Sequence, residues 1–188
     1  MKKDVADVRT RLREAALKLF SEHGYDRTTA AAIAARAGVT ERTFFRYFPD
    51  KREVLFDGEA RVRSALTTSM AEASADLGPI ETLFRAFHAF EPVLEGNRPY
   101  SKPRQEVIDA TPALHERELA KIAALAKALA AALESRGVPE PAAVLSAQVG
   151  MAVFVQATLA WLEDPRVSFG ERLDIARTNL RTLLADVI

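Results

Sequence analysis

Residues 28–51 read Thr-Thr-Ala-Ala-Ala-Ile-Ala-Ala-Arg-Ala-Gly-Val-Thr-Glu-Arg-Thr-Phe-Phe-Arg-Tyr-Phe-Pro-Asp-Lys, and they encode two short helices joined by a glycine turn. Thr29 is placed to accept from the free N–H groups of the first helix, and Ile33 and Ala37 lie one turn apart on its inner face. Gly38 supplies the left-handed residue that ends this helix, and Val39 packs in the turn. Thr40 caps the second helix, on which Phe44 and Phe48 stack four residues apart as anchors. Arg42, Thr43, Arg46 and Tyr47 project elsewhere, and most are residue types that bind phosphates or base edges. The pattern is a helix-turn-helix, and it points to double-stranded DNA.

In such a motif the second helix enters the major groove while the first crosses the backbone. The exposed part of residues 40–47 is therefore expected to meet DNA. Arg42 is the expected base reader, with Thr43 at a phosphate or base methyl and Tyr47 at a phosphate through its hydroxyl. Lys51 and the capping residue Thr29 are placed to bind phosphates, and Arg46 either reaches the backbone or lies on the protein surface. Glu41 either accepts from a cytosine amino group or is a solvated acid in the first helical turn, Arg36 reads as a solvent-facing charge, and Phe20, Ile33, Phe44 and Phe48 as core.

The flanking sequence extends the pattern on both sides. A helix carrying Ala15, Leu19 and Phe20 ends at Gly24-Tyr25; Thr28-Thr29, Ile33-Ala34, Ala37-Gly38-Val39, Thr43-Phe44, Tyr47-Phe48, Lys51 and Val54-Leu55 follow. Over roughly residues 8–56 the chain closely resembles the DNA-binding domain of TetR-family transcriptional regulators. One position departs: where that family most often carries a phosphate-binding tyrosine, this chain has Phe45, which is expected to pack against a sugar or a thymine methyl.

Net charge is zero, with 26 basic and 26 acidic residues, but residues 1–55 hold 12 Lys and Arg against 8 Asp and Glu, whereas residues 56–188 hold 14 against 18. A basic module on an acidic body suits a DNA-binding head attached to a sensing or dimerising part. The absence of cysteine excludes disulfides and thiolate metal sites, and the charged start after Met1 lacks the apolar core of a signal peptide, so a cytoplasmic location is expected. Ala142 to Leu162 runs 21 residues without a charge. Its Ser, Gln and Thr interruptions and the lack of a flanking basic cluster favour a buried helix or subunit interface over a membrane span.

Helical periodicity runs through nearly every segment, so the fold is expected to be all-α, with about nine helices. A head at 1–48 precedes a helical ligand-binding and dimerisation domain at 49–188. Val5, Val8, Leu12, Ala15 and Leu19 line the first helix; Pro49 ends the recognition helix; Asp50 and Glu53 form a capping box for a connecting helix over about 50–74. Ile80 to Leu94 marks a fifth helix kinked or ended by Pro92, and Gly96–Pro103 reads as a loop or short turn. A long helix starts at Thr111-Pro112 and closes at Gly137, and the last two helices cover about 140–163 and 168–186. In the last, Phe169, Leu173, Ala176, Leu180, Leu183 and Val187 form a stripe that wants a helical partner.

The resemblance implies a homodimer through the last two helices and a small-molecule effector bound inside the C-terminal bundle. Phe84, Phe87, His88, Phe90, Phe154 and Trp161 are the residues available to line such a pocket, whose occupation would tilt the connecting helix. No Gly-rich phosphate loop, cysteine nucleophile or Gly-x-Ser-x-Gly elbow is present, so no catalytic residue and no cofactor is expected. His88 and Glu91 lie three apart on one helix, but two ligands do not make a metal site. The sequence thus favours a ligand-responsive repressor on a palindromic operator; the alternative is a helical protein-interaction adaptor that kept the motif as scaffold.

Overall fold

The computed structural model describes residues 2–185, with side chains from Val8 onward, so the side chain of Val5 and all of Val187 lie outside the described parts. The described residues form eight α-helices and a single 3-10 turn, with no strand. The chain divides into two compact units, Met1–Glu59 with Pro103–Glu118, and Ala60–Lys102 with Leu119–Ile188. The expected boundary at 48/49 therefore falls inside the first unit.

The first unit contains α1 (Lys2–His23), α2 (Ala30–Arg36), α3 (Glu41–Tyr47) and the 3-10 turn Glu53–Phe56. Leu12, Ala16, Phe20, Ile33, Phe44, Phe48 and Val54 are buried and make its core, as the apolar spacing requires. The connecting helix expected over 50–74 is broken. Asp57 leaves the helical region at ψ 118 and Gly58 takes φ +116, so α4 spans only Glu59–Ala71. Arg9 holds the Asp57 carboxylate at 2.9 Å, which fixes the chain where it turns out of the helix. The Asp50–Glu53 capping box forms by half. Asp50 Oδ1 accepts from the Arg52 and Glu53 amides at 2.8 and 3.0 Å, but the Glu53 carboxylate accepts from Arg117 instead of turning back.

The second unit takes in most of α4, the larger part of α5 (Pro79–Asp109), most of α6 (Pro112–Glu134), and α7 (Glu140–Glu163) and α8 (Phe169–Ala185). The kink or end expected at Pro92 and the loop expected over 96–103 are both absent: α5 runs unbroken from Pro79 to Asp109. The reason lies in where its breakers fall. Pro92, Gly96, Pro99 and Pro103 recur at steps of four, three and four on one stripe, and the first three are exposed. A carbonyl freed by each missing N–H can there bond to water.

The other side of α5 is pinned by polar contacts. Glu91 accepts from Gly170 N at 2.9 Å, and Glu95 accepts from Phe169 N at 2.8 Å and Trp161 Nε1 at 2.7 Å. Two carboxylates one turn apart thus satisfy the free amides at the start of α8. Gly170 is required for this approach, since a Cβ there would lie 2.5 Å from Glu91 Oε2.

The apolar helix α7 buries Ala143, Ala147, Gly150, Met151, Phe154, Ala157 and Trp161. It is the one helix among the described residues long and apolar enough to cross a membrane, and its buried side chains belong to the core of the second unit. At the far end of α4, Arg136 donates to the carbonyls of Met70, Ala73 and Ser74 at 2.8, 3.0 and 2.6 Å, a cation on the free carbonyls of a helix terminus.

Candidate DNA-binding surface

The local chemistry of the motif is that of its sequence. Thr29 is extended at φ −106, ψ 158, and its hydroxyl accepts from Ala32 N at 3.1 Å. Thr40 caps α3 by accepting from Thr43 N at 3.2 Å, and its hydroxyl lies 3.0 Å from that of Thr43. Between the two caps, Gly38 stands at φ +69 and Val39 N donates to Ala34 O at 3.0 Å, closing α2.

α3 is anchored from inside by Phe44 and Phe48, buried with ring centroids 5.7 Å apart. Its outward residues are Arg42, Phe45 and Arg46, all exposed, with Thr43 and Tyr47 half-buried at the edges. Among the described residues Arg42 has no intramolecular partner, so its donors face solvent. The Arg46 guanidinium lies over the Tyr47 ring, 5.2 Å from its centroid. Arg36 pairs with Glu22 at 2.9 Å, as a solvated charge would.

Lys51 is more deeply engaged than its residue type suggested. Its ammonium donates to the carbonyls of Tyr25 at 2.7 Å and Thr28 at 2.9 Å, reaches that of Asp26 at 3.4 Å, and lies 4.2 Å from the Tyr25 ring centroid. It ties the start of the 3-10 segment to the turn between α1 and α2, directly before the Thr29 cap. Burial, with the nearby Asp50 carboxylate, pushes the Tyr25 phenol above its ordinary range.

Three arginines that periodicity gave no reason to single out hold this surface in place. Arg11 Nη1 donates to Ala37 O at 2.9 Å. Arg117 donates to Glu53 at 3.0 and 3.1 Å and to Glu59 at 2.7 Å, joining carboxylates on both sides of Gly58. Arg104 donates to Leu55 O at 2.6 Å and to Glu118 at 2.7 Å, and both Arg104 and Arg117 lie over the Phe56 ring. The partners are 14 to 64 residues apart in sequence, beyond the reach of any local pattern.

In the second unit, the residues named for a pocket form a packed aromatic chain. Phe84 meets Phe87 at 6.2 Å, Phe87 meets Phe154 at 4.8 Å, and Phe169 bridges Phe154 to Trp161 at 5.4 and 6.3 Å. Phe90 is buried in the same cluster, whereas His88 faces α8 with Nε2 3.0 Å from Asp174 Oδ1. Glu91, the residue paired with His88 as a metal ligand in outline, is occupied by the amide of Gly170.

Comparison with known proteins places these features. Residues 12–57 match the bacterial regulatory proteins of the tetR family, and residues 77–185 match the MftR C-terminal domain. The chain is 35% identical over 81 residues to the transcriptional regulator TcmR of Streptomyces glaucescens, which covers 43% of this chain but only 36% of TcmR. It is 26% identical over 168 residues to the transcriptional regulator MftR of Mycobacterium tuberculosis, 87% of this chain and 84% of MftR. Among solved structures, that of Thermus thermophilus FadR, a TetR-family repressor in complex with lauroyl-CoA, covers 94% of this chain and 93% of FadR, with 25% identity and a TM-score of 0.56. The capped helix pair, the ring-anchored α3 and matches that together run from residue 12 to residue 185 make one assignment, and the chain belongs to the TetR family of bacterial transcriptional regulators.

Proposed function

We propose that the protein is a homodimeric repressor that binds a palindromic operator and releases it when a small molecule occupies the second unit. The observation that carries this reading is α3, where Phe44 and Phe48 are buried while Arg42, Phe45 and Arg46 are exposed. That division suits a helix held rigidly from behind and presented to a groove. Thr29, Thr40, Thr43, Tyr47 and Lys51 complete the contact set, through phosphates or through the turns that position α3. An adaptor has no use for an outward arginine such as Arg42 that makes no contact within the described residues, and the related proteins are transcriptional regulators.

Dimerisation is supported by the outer faces of α7 and α8. Leu145, Gln148, Ala152, Gln156 and Leu159 recur at steps of three and four along α7, uncharged and exposed, and Ile175, Leu183 and Leu184 are exposed on α8. A two-fold pairing of these faces would present two recognition helices to half-sites one DNA turn apart, ~34–36 Å.

The effector site is assigned to the aromatic chain of Phe84, Phe87, Phe90, Phe154 and Trp161, with His88 at its edge. These rings already touch, so a ligand entering among them must displace at least one. Displacement of packed rings is how occupancy would be felt by the helices that carry them. Apolar walls favour an apolar or amphipathic effector, and FadR is a precedent with lauroyl-CoA. The protein acts in the cytoplasm without a cofactor, metal or catalytic residue, and not on a membrane.

Selection of duplexes from a random pool by the full chain tests this reading. A palindromic consensus bound with steep salt dependence is expected, and lauroyl-CoA serves as the first candidate for release. Failure to enrich any sequence would overturn it.

A further inference from the structure

Phe45 keeps 51% of its surface exposed on the outward face of α3, between Glu41 and Arg42 on the preceding turn and Arg46 beside it. Its ring stands edge-on to Phe44 at 5.3 Å and 88°, and Phe44 is itself fully buried, so the exposed ring rests on a fixed base. The half of the ring that Phe44 does not cover is open to an apolar group of whatever α3 binds. It has no donor or acceptor, so it cannot read any polar base edge. The major groove presents one apolar group, the C5-methyl of thymine.

We propose that Phe45 determines specificity by recognising a 5-methylpyrimidine, thymine in ordinary DNA, at one fixed position of each half-site. The inference rests on α3 entering the major groove as set out under the proposed function. It adds a base identity that the neighbouring arginines do not supply. Arg42 is suited to guanine O6 and N7, whereas Phe45 selects at a different base through a methyl group alone. A tyrosine at this position would add a hydroxyl able to reach a phosphate, so the phenylalanine exchanges a contact without sequence information for one that carries it.

The test uses the full chain and the duplex it selects. Each thymine is replaced singly by uracil, which lacks only the 5-methyl group, and affinities are measured for the wild type, Phe45→Ala and Phe45→Leu. One uracil position per half-site is expected to weaken the wild type about fourfold, the burial of one methyl group, and about fifteenfold when both half-sites carry it. Phe45→Ala is expected to bind thymine and uracil equally at that position, while Phe45→Leu keeps part of the discrimination. Because Phe45 is exposed, these variants leave the core intact, and circular dichroism checks this. A uracil scan that is silent at every thymine, or that is unchanged in Phe45→Ala, overturns the inference while leaving DNA binding in place. Selection of no duplex at all overturns both.

Discussion

The Arg11 guanidinium closes the turn of the motif from outside it, donating a 2.9 Å hydrogen bond to the carbonyl of Ala37, the residue that ends α2. Ala37 is followed by Gly38 at φ +69, so α1 grips the chain at its only left-handed residue between α2 and α3. The angle at which α3 leaves that turn is therefore set by α1 as well as by the turn itself.

Arg11→Met keeps the apolar stem and removes the bond to Ala37. It is expected to lower stability by about 1.5–3 kcal/mol, the range for a hydrogen bond from a charged group. Gly38→Ala should cost about 1–2 kcal/mol through the left-handed conformation alone, because a Cβ there has room beside Arg11. Urea denaturation of both variants checks the values, and both should weaken DNA binding without changing the preferred sequence.

Arg42 and Lys51 should separate cleanly. Arg42→Ala removes exposed donors with no internal partner, so it should relax preference at one base pair, a loss of ~1–3 kcal/mol at that position, and leave the melting temperature unchanged. Lys51→Ala releases the carbonyls of Tyr25 and Thr28, so it should weaken binding to all sequences alike and lower the melting temperature as well. Footprinting on one operator together with thermal melts distinguishes the two. An unchanged melt for Lys51→Ala would leave phosphate contact as its whole role.

Arg117 lies outside the recognition helix, yet it joins Glu53 to Glu59 across the break at Gly58, and its own charge is held more firmly by their hydrogen bonds. Arg117→Leu leaves two partly buried carboxylates without their shared cation. We expect a loss of about 2 kcal/mol and weaker DNA binding, with Arg117→Lys restoring only part because it cannot serve both acids with a planar fork. Full operator affinity in Arg117→Leu would show that this clasp is unconnected with the DNA-binding surface.

How much of this could be read from the chain depends on the distance over which each cause acts. Thr29, Gly38, Thr40, Phe44 and Phe48 act within one helical turn, and their spacing was sufficient to place both helices and the core side of α3. The breakers in α5 misled because a proline's effect depends on which face it occupies, and Pro92, Gly96 and Pro99 fall together on the exposed one. The connecting helix misled for the opposite reason. Gly58 looks innocuous inside a helical pattern until Arg9 is seen holding Asp57 from another helix. Arg11, Arg104 and Arg117 were invisible because their partners come from remote segments and their own helices give no hint of them.

The turn between α7 and α8 carries an acid-sensitive contact. Hydrogen bonds from Arg166, with Arg172 nearby, hold the Asp164 carboxyl down to about 2 from an ordinary 3.8. The folded value is the lower one, so the stabilisation is complete above 3.8 and is lost as pH falls through about 2. Asp164→Asn should therefore lower the melting temperature slightly at neutral pH, and the gap to wild type should close in strong acid. A gap that persists at pH 2 would assign the effect to the amide's geometry and not to charge.

Leu145 is 62% exposed on α7 and Leu183 is 65% exposed on α8, each on the faces assigned to the partner subunit. Neither contributes to the core of the second unit, so a charge at either position should leave the protomer folded. Leu145→Glu with Leu183→Glu would bring like charges into an apolar two-fold contact, where every substitution is met twice. Sedimentation should then report a monomer with unchanged helicity, and operator affinity should fall steeply because each half-site would be bound alone. If the double variant sediments as a dimer, the partner lies on another face, and α7 keeps its uncharged outer stripe for some other reason.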